Sequence, residues 1–488
     1  MKHRVLKAIN KELEKNPDSD FLKKQKKLIN TANISTLHSF CYKLIKEHFY
    51  KLGIKSNIQI SSDEDVILLR EEILNDILEE KYENSDEGFD NLIDKYATFK
   101  DDDELKRIIN NISYFLESIP FRKKWQTEVL LELKNLEKEK ISFEDTKSGK
   151  YLIDLIESKI MYYIDLYNKA LNDVSMLGEE YIDYVERLKN ERDILSYIKD
   201  EFLKEKNLGD VINKLIDFNS SKEKWPSSRK LKCLETDVAN NFRKVVKEDI
   251  DVVSELIPAN SMKELIEDYI YSYKIIHELF NIIDEFFARY EEKKRELNIL
   301  DYSDLEHLSI KLLYDEIKKE NGEIEYVISD IAKELRKNFK EVQVDEYQDT
   351  NLVQEKIINA IADKNLFQVG DVKQSIYKFR NAKPELFMNK YNSYSDISEG
   401  EYNEILDGKL IRFDKNFRSK KNVLDFCNDI FKIIMVEGTG RINYTEKEYL
   451  NLGRDENAED LEDVEILYAI PEYEKGEHYN DIKENLEI

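Results

Sequence analysis

The run Val342-Gln343-Val344-Asp345-Glu346-Tyr347-Gln348-Asp349-Thr350 sets two adjacent carboxylates directly after alternating apolar and polar residues. A strand that delivers Asp-Glu to its carboxyl end has the groups to hold Mg²⁺ and to orient a water for attack on a phosphate. The same pair has a plainer reading, as negative charge capping the helix that follows. A second polar cluster, Val369-Gly370-Asp371-Val372-Lys373-Gln374-Ser375-Ile376-Tyr377-Lys378-Phe379-Arg380, comes directly after another apolar run. A third, Phe413-Asp414-Lys415-Asn416-Phe417-Arg418-Ser419, comes directly before a helical pattern. Gln374 has the amide to sense a phosphate, and Arg418 the planar fork suited to a phosphate whose charge grows during transfer. Tyr377 and Phe379 are two rings in a loop, a platform on which unpaired bases stack.

These clusters need elements to carry them. Phe339–Val344 reads as a strand, Val353 to Ile361 as a helix, Leu366–Val369 as a strand, Leu410–Phe413 as a strand, Val423–Ile434 as a helix and Val464–Ile470 as a strand. Strands alternating with helices imply a parallel sheet with ligands at the strand carboxyl ends, so the three clusters are expected to converge on one crevice. Upstream, residues 1–30 read as a helix followed by a basic run. From Ile34 the apolar positions recur in steps of three and four to Phe49, an amphipathic helix capped by Ser35 or Thr36. A turn at Gly53 and a short segment, Asn57–Ile60, follow. Residues 63 to about 290 are rich in Leu, Ile, Tyr, Glu and Lys with almost no Gly, the signature of an all-α insertion, with polar links near Asn84–Gly88 and Asn219–Arg229. No fixed-period repeat occurs.

The chain has 488 residues, 41% hydrophobic and 36% charged, with 13 Gly and 6 Pro. That composition fits a charge-rich helical protein of two or three domains and opposes a loop-rich all-β fold. A net charge of −26 excludes a general nucleic-acid coat protein but leaves room for a local basic and aromatic groove. No uninterrupted apolar stretch of about 18 residues is present, so no membrane span is expected. Met1-Lys2-His3-Arg4-Val5 lacks the apolar core of a secretory signal. Cys41, Cys233 and Cys427 have no metal-ligand or disulfide spacing, which suits reduced thiols in the cytoplasm.

Taken in order, the motifs resemble those of the UvrD/PcrA/Rep/RecB-like superfamily 1 DNA helicases. Asp345-Glu346-Tyr347-Gln348-Asp349-Thr350 resembles their motif II, Gly370–Arg380 their motif III, and Asn416-Phe417-Arg418-Ser419 their motif IV. Thr36-Leu37-His38-Ser39-Phe40 is similar to their early Thr-x-His-x-Phe motif, and Leu300-Asp301-Tyr302-Ser303-Asp304-Leu305 to the element preceding motif II. Within the family the wording is most similar to the A subunits of AddAB-type helicase–nucleases. The resemblance implies Mg²⁺ on Asp345, water activation by Glu346, γ-phosphate contacts from Gln374 and Arg418, and adenine stacking on Phe417. It implies single-stranded DNA contacts from Thr36, His38, Tyr377, Phe379 and Arg380. For Thr36 a plain N-cap role is compatible with the DNA role; Asp301 and Asp304 read as surface or capping carboxylates outside the catalytic set.

The implied fold is α/β, an incomplete P-loop NTPase sheet of RecA-like type with a large all-α insertion. The implied domains are residues 1–62 as part of the first RecA-like domain, 63–290 as the insertion, 291–408 as the rest of the first domain and 409–488 as the start of the second. The implied activity is ATP-driven translocation on single-stranded DNA in double-strand-break repair, with duplex-end DNA and a second subunit of AddB type as partners. Two other readings stay open: a UvrD-type repair helicase without a nuclease, and a non-catalytic DNA- or partner-binding scaffold. A phosphate-cradling Gly-x-x-x-x-Gly-Lys-[Ser/Thr] loop is absent; Gly438-Thr439-Gly440-Arg441 lacks its lysine. The expectation is a central piece of such a motor, cut at both ends, whose ATP and Mg²⁺ belong to the parent protein and which alone binds and hydrolyses no ATP.

Overall fold

The computed structural model describes residues 2–29, 31–97, 101–138, 141–220, 233–256, 262–319, 324–397, 408–435, 444–454 and 464–465. The Gly438–Arg441 run, most of the Asn219–Arg229 link and all but Val464 and Glu465 of the expected Val464–Ile470 strand lie outside them. Within the described residues the chain forms two compact units. The first comprises Met1–Thr146 with Lys263–Leu410, and the second Lys147–Met262 with Ile411–Ile488.

The first unit opens with α1 (Lys2–Lys15) and α2 (Asp20–Leu28). The basic run is therefore helical; Ser19 caps it by accepting the Leu22 amide at 3.3 Å. Next come α3 (Leu37–Glu47), α4 (Phe49–Leu52) and β1 (Gln59–Ile60), followed by α5 (Asp63–Glu83), α6 (Glu87–Tyr96), α7 (Asp103–Glu117) and α8 (Arg122–Glu137). In the second unit lie α9 (Lys147–Ser175), α10 (Ile182–Glu205), α11 (Leu208–Ser220) and α12 (Leu234–Leu256). The chain returns to the first unit through α13 (Met262–Leu297), β2 (Ile299–Leu300), α14 (Tyr302–Leu313), β3 (Tyr314–Lys318), β4 (Ile324–Ile328) and α15 (Asp330–Asn338). Then follow β5 (Val342–Val344), α16 (Leu352–Ile361), β6 (Leu366–Gln368), α17 (Pro384–Ser393), β7 (Ser395–Asp396) and β8 (Lys409–Leu410). The second unit resumes with β9 (Lys415–Asn416), α18 (Lys421–Ile434) and β10 (Asn451–Leu452).

Among the described residues the strands form five two-stranded sheets, β1–β2, β3–β4, β5–β6, β7–β8 and β9–β10, of which only β3–β4 is antiparallel. A single multi-stranded parallel sheet is not assembled among the described residues. Parallel sheets are ordinarily covered on both faces, whereas Gln343 and Phe367 of β5 and β6 are exposed. Two strand boundaries also differ from expectation. Phe339 closes α15, its amide bonding to the Leu335 carbonyl at 2.9 Å, so the strand begins only at Val342. The expected Leu410–Phe413 strand ends at Leu410, which pairs with Asp396; pairing resumes at Lys415, with Asn451.

Among the described residues two apolar cores hold the first unit. One joins α5, α6, α7 and α13 around Ile77, Phe89, Leu105, Ile283 and Phe286. The other joins α3, α14, α15 and α16 around Cys41, Ile45, Leu305, Leu313, Val353 and Ile357. In α3 the Thr36 hydroxyl accepts the Ser39 amide at 3.3 Å, and Cys41, Leu44 and Ile45 fall on one buried face. In α14, Asp301 and Asp304 form a reciprocal capping box, and both also hold the buried Lys294 ammonium, at 2.9 and 2.6 Å. These two aspartates cap, as one of their expected roles required, but Asp301 is buried and not on the surface.

Candidate functional site

The site begins at the carboxyl ends of β5 and β6. Their parallel register, Val342↔Leu366 to Val344↔Gln368, continues past the strands. The Val369 amide donates to the Val344 carbonyl at 2.8 Å and the Tyr347 amide to the Val369 carbonyl at 2.9 Å. Asp345-Glu346 and Gly370-Asp371 are thereby held side by side. Glu346 takes a left-handed conformation at φ 51, which turns the chain sharply off the strand. A side-chain-bearing residue in that region carries strain of about 1 kcal/mol or more, a feature common at functional sites. Asp345 and Glu346 are both exposed. The Asp345 Oδ1 accepts the Glu346 amide at 3.1 Å.

Gln348, only 1% exposed, joins the two strand ends. Its Nε2 donates to Glu346 Oε2 at 2.7 Å, and its Oε1 accepts the Asp371 amide at 3.1 Å. Gly370 leaves the room this needs: a Cβ there would lie 2.5 Å from Gln348 Oε1 and 3.1 Å from the Phe387 ring. Asp371 in turn accepts from Gln374 Nε2 at 3.1 Å and pairs with Lys373 at 2.9 Å. A continuous chain of hydrogen bonds thus runs Glu346–Gln348–Asp371–Gln374. Asp349 faces the Ile376 and Tyr377 amides and the Ser375 hydroxyl; burial and then the nearby Glu346 charge still leave its pKa raised. Beneath the site Lys390 donates to Tyr347 Oη (2.6 Å), Glu355 (2.9 Å) and Gln368 (3.0 Å), a packed polar support.

The segment after Gln374 carries the aromatic pair. The Tyr377 and Phe379 ring centroids are 5.9 Å apart, and Phe379 is 76% exposed. The Arg380 guanidinium lies 5.6 Å from each ring centroid. Phe379 and Arg380 line a cavity of 670 Å³ together with His38, Tyr114, Tyr302 and Glu306. His38 Nε2 pairs with Glu306 Oε1 at 3.1 Å, and its ring meets Tyr302 edge-on at 5.2 Å. Burial pushes the Glu306 carboxyl up, but hydrogen bonds from His38, Gln354 and Asn351 outweigh it and its pKa is lowered overall. Thr36 caps α3 and shares a 2.9 Å hydroxyl–hydroxyl contact with Ser39.

Phe417 and Arg418 belong to the second unit. The Asn416 carboxamide oxygen accepts the Arg418 and Ser419 amides, both at 2.9 Å, and so turns the chain into α18. The exposed Phe417 ring lies against Gly453, where a Cβ would come within 2.8 Å of it. The structure therefore unites Asp345, Glu346 and Gln374, and separately His38, Phe379 and Arg380. Four residues that spacing alone did not single out also contribute: Gln348, Glu306, Tyr114 and Tyr302. Gln348 stood inside the acidic run and Tyr302 inside the element preceding motif II, neither with a role assigned to it there, while Glu306 and Tyr114 lie outside the quoted motifs.

Among the described residues no group of three or more His, Cys, Asp and Glu side chains could by itself hold a metal ion. Mg²⁺ is usually held by one or two carboxylates together with phosphate oxygens and waters. Asp345, exposed at a strand end, fits that requirement.

A family model described as the UvrD/REP helicase N-terminal domain matches residues 1–395. The chain belongs to this family. Curated relatives named as the A subunit of ATP-dependent helicase/nucleases extend the match. That of Clostridium beijerinckii (strain ATCC 51743 / NCIMB 8052) is 36% identical over 467 residues, 93% of this chain and 36% of the relative. The protein of the same name from Clostridium novyi (strain NT) is 38% identical over 469 residues, with 93% and 36% covered. That from Clostridioides difficile (strain 630) is 34% identical over 482 residues, with 94% and 36% covered. The chain spans about a third of the length of these relatives. As a UvrD/REP-family domain, it is mostly helical with small sheets, and no helix among the described residues is long and apolar enough to cross a membrane.

Proposed function

We propose that this chain is motor machinery of an ATP-dependent helicase/nuclease that moves along single-stranded DNA during break repair. The observation that carries the proposal is the hydrogen-bonded path from Glu346 through Gln348 and Asp371 to Gln374. It ties carboxylates suited to a nucleotide to the segment bearing Tyr377 and Phe379. In this reading a shift at one end would be passed to the other through groups that are already in contact.

In this reading β5 and β6 are strands of a RecA-like sheet, residues 63–290 are its helical insertion, and residues 409–488 begin a second RecA-like domain. When bound, Mg²⁺ and ATP supply the phosphoryl transfer that powers movement. Asp345 would hold the metal or its water. Glu346 would accept the water proton at its carboxylate; the Gln348 amide on Oε2 orients the group for this. Gln374 and Arg418 would contact the γ-phosphate and Phe417 the adenine. Thr36, His38, Tyr377, Phe379 and Arg380 would line the path of the strand. The nuclease activity in the relatives' name is assigned to no residue of this chain. A second subunit of AddB type would be its partner, in the cytoplasm.

Fluorescence anisotropy with labelled single-stranded DNA tests this. Tyr377→Ala and Phe379→Ala should each weaken binding by about five-fold or more, since a lost stacking contact costs about 1–3 kcal/mol. Unchanged affinity in both variants would remove the DNA path from this segment.

A further inference from the structure

The two apolar cores of the first unit meet at a cluster of buried charges to which no step of the motor has been assigned. The chain passes between these cores at β1 and again at β2, which pair over two residues, Gln59↔Ile299 and Ile60↔Leu300. Close by, Lys294 of α13 reaches the start of α14 and donates to Asp301 Oδ2 at 2.9 Å and to Asp304 Oδ1 at 2.6 Å. Lys294 and Asp301 are only 5% and 7% exposed. Tyr290, one turn earlier on α13, also donates to Asp301 Oδ2, at 2.9 Å. A second ion pair, Arg70 of α5 with Glu117 of α7, adjoins the first.

Three carboxylates, Asp301, Asp304 and Glu117, therefore share two buried cations, Lys294 and Arg70. The surplus negative charge falls on Asp304: burial and then the Asp301 charge push its carboxyl up to about 6 in spite of Lys294. On its own helix His307 stays neutral, held so by burial and then by Arg122 of α8, which lines the same 780 Å³ cavity. The other charges lining that cavity, Lys123, Glu291, Arg295, Lys311, Asp315 and Glu316, are exposed, and water and salt screen them. Because folding raises the Asp304 carboxyl, its ionised form weakens the fold above about pH 6.

The helix cap does not require that charge. Asp304 Oδ2 accepts the Asp301 amide at 2.9 Å and completes the capping box, while Oδ1 holds Lys294. An asparagine would supply the first oxygen equally well but would turn its NH₂ towards the ammonium. A charge that opposes stability and that the cap can do without points to a functional role. The turn that carries Asp304 also forms a wall of the 670 Å³ cleft, through Tyr302, Ser303 and Glu306. Glu306 anchors His38 there at 3.1 Å. Glu117 and Ser303 line both cavities, so the charge cluster is the partition between them.

We propose that Asp304 is a positioning residue for the DNA cleft: by holding Lys294, its carboxylate fixes the first turn of α14 against α13 and so sets where Glu306 and His38 stand. The proposal rests on the reading in which single-stranded DNA passes His38 and Phe379. Asp304 itself touches no DNA; it acts through the turn.

The test uses the 488-residue chain and a rhodamine-labelled oligothymidylate in anisotropy titrations. At pH 7.5 Asp304→Asn should weaken binding by about three-fold or more, a coupling usual for groups in one network, while its urea unfolding midpoint is no lower than the parent's. Removing a negative charge by itself favours a polyanion, so this loss runs against simple electrostatics. As pH falls from about 7.5 to 5, through the Asp304 titration, the parent's affinity should approach that of Asp304→Asn. Titrations common to both chains cancel in the ratio. If Asp304→Asn binds like the parent while Phe379→Ala weakens binding, the positioning role is refuted and the DNA path stands. A ratio that stays constant over the pH range refutes it too, because the charge would then not matter. Lost affinity together with a lowered unfolding midpoint would assign Asp304 to stability alone and overturn the proposal. If Phe379→Ala binds normally, the DNA path itself fails, and Asp304 has no cleft to position.

Discussion

Gly370→Ala isolates the contact between the two strand ends. Gly370 does not adopt a positive φ, so its requirement is steric alone. An added Cβ would meet Gln348 Oε1 at 2.5 Å, the Phe387 ring at 3.1 Å and the Gln348 backbone nitrogen at 3.2 Å. The first contact is too close to survive, so the Gln348 side chain must move. It then gives up its bond to the Asp371 amide and its charge-assisted bond to Glu346. A neutral hydrogen bond contributes about 0.5–1.5 kcal/mol and one to a charged group about 1.5–3 kcal/mol. Water reaches the exposed Glu346 and replaces part of the second. The expected loss is therefore about 2–3 kcal/mol for the first unit. Trp125 lies in that unit, against Phe115 at 5.3 Å. In a Trp225→Phe background its emission during urea unfolding reports the change. The decisive comparison is Gly370→Ala in a Gln348→Ala background, where the clashing oxygen is gone. The cost of the added methyl should fall by about 1–2 kcal/mol, the excess expected of directly contacting residues. Equal costs in the two backgrounds would refute the bridge.

Three further outcomes follow from the same geometry. His307 Nε2 donates to the Glu117 carbonyl at 2.8 Å, and burial, then the Arg122 charge, lowers its pKa from 6.5 to about 4. The unfolded chain binds the proton more readily, so this contribution is complete above about pH 6.5 and is lost as pH falls towards 4. The stability difference between the parent and His307→Gln should shrink by about 2–3 kcal/mol over that window, and a flat difference in urea titrations would contradict it. Lys294→Met leaves Asp301 and Asp304 without their shared cation; a loss of about 3–5 kcal/mol is expected by chemical denaturation, whereas a surface pair would cost under about 1 kcal/mol. Because the 488 residues hold no phosphate loop, phosphate release with single-stranded DNA and ATP should stay at background in a malachite-green assay. Turnover above it would show that other groups supply the missing donors.

The helices were legible because their signals are local. Thr36 three residues before Ser39, and Cys41, Leu44 and Ile45 on one face, are enough to define α3. The acidic run after β5 was equally readable, since strand alternation and a sudden pair of carboxylates lie within a few positions. Boundaries were less so. Phe339 fits the strand alternation, yet its amide is taken by α15, and a one-dimensional pattern does not say which partner takes an amide.

From residue order alone came the chemistry available: a carboxylate pair, a glutamine, an arginine and two loop aromatics, in the order of a helicase core. Folding alone decided which of these meet. The parallel pairing of β5 with β6 buries Gln348 between two motifs and leaves space beside its Oε1 only for a glycine at 370. The packing of α5, α7 and α13 brings Arg70 beneath Tyr114 at the edge of a cleft whose other residues are far off in the chain. Caps and periodicity are settled within one or two turns of backbone, but contacts between distant segments depend on how whole faces bury together, and no short stretch of residues encodes that.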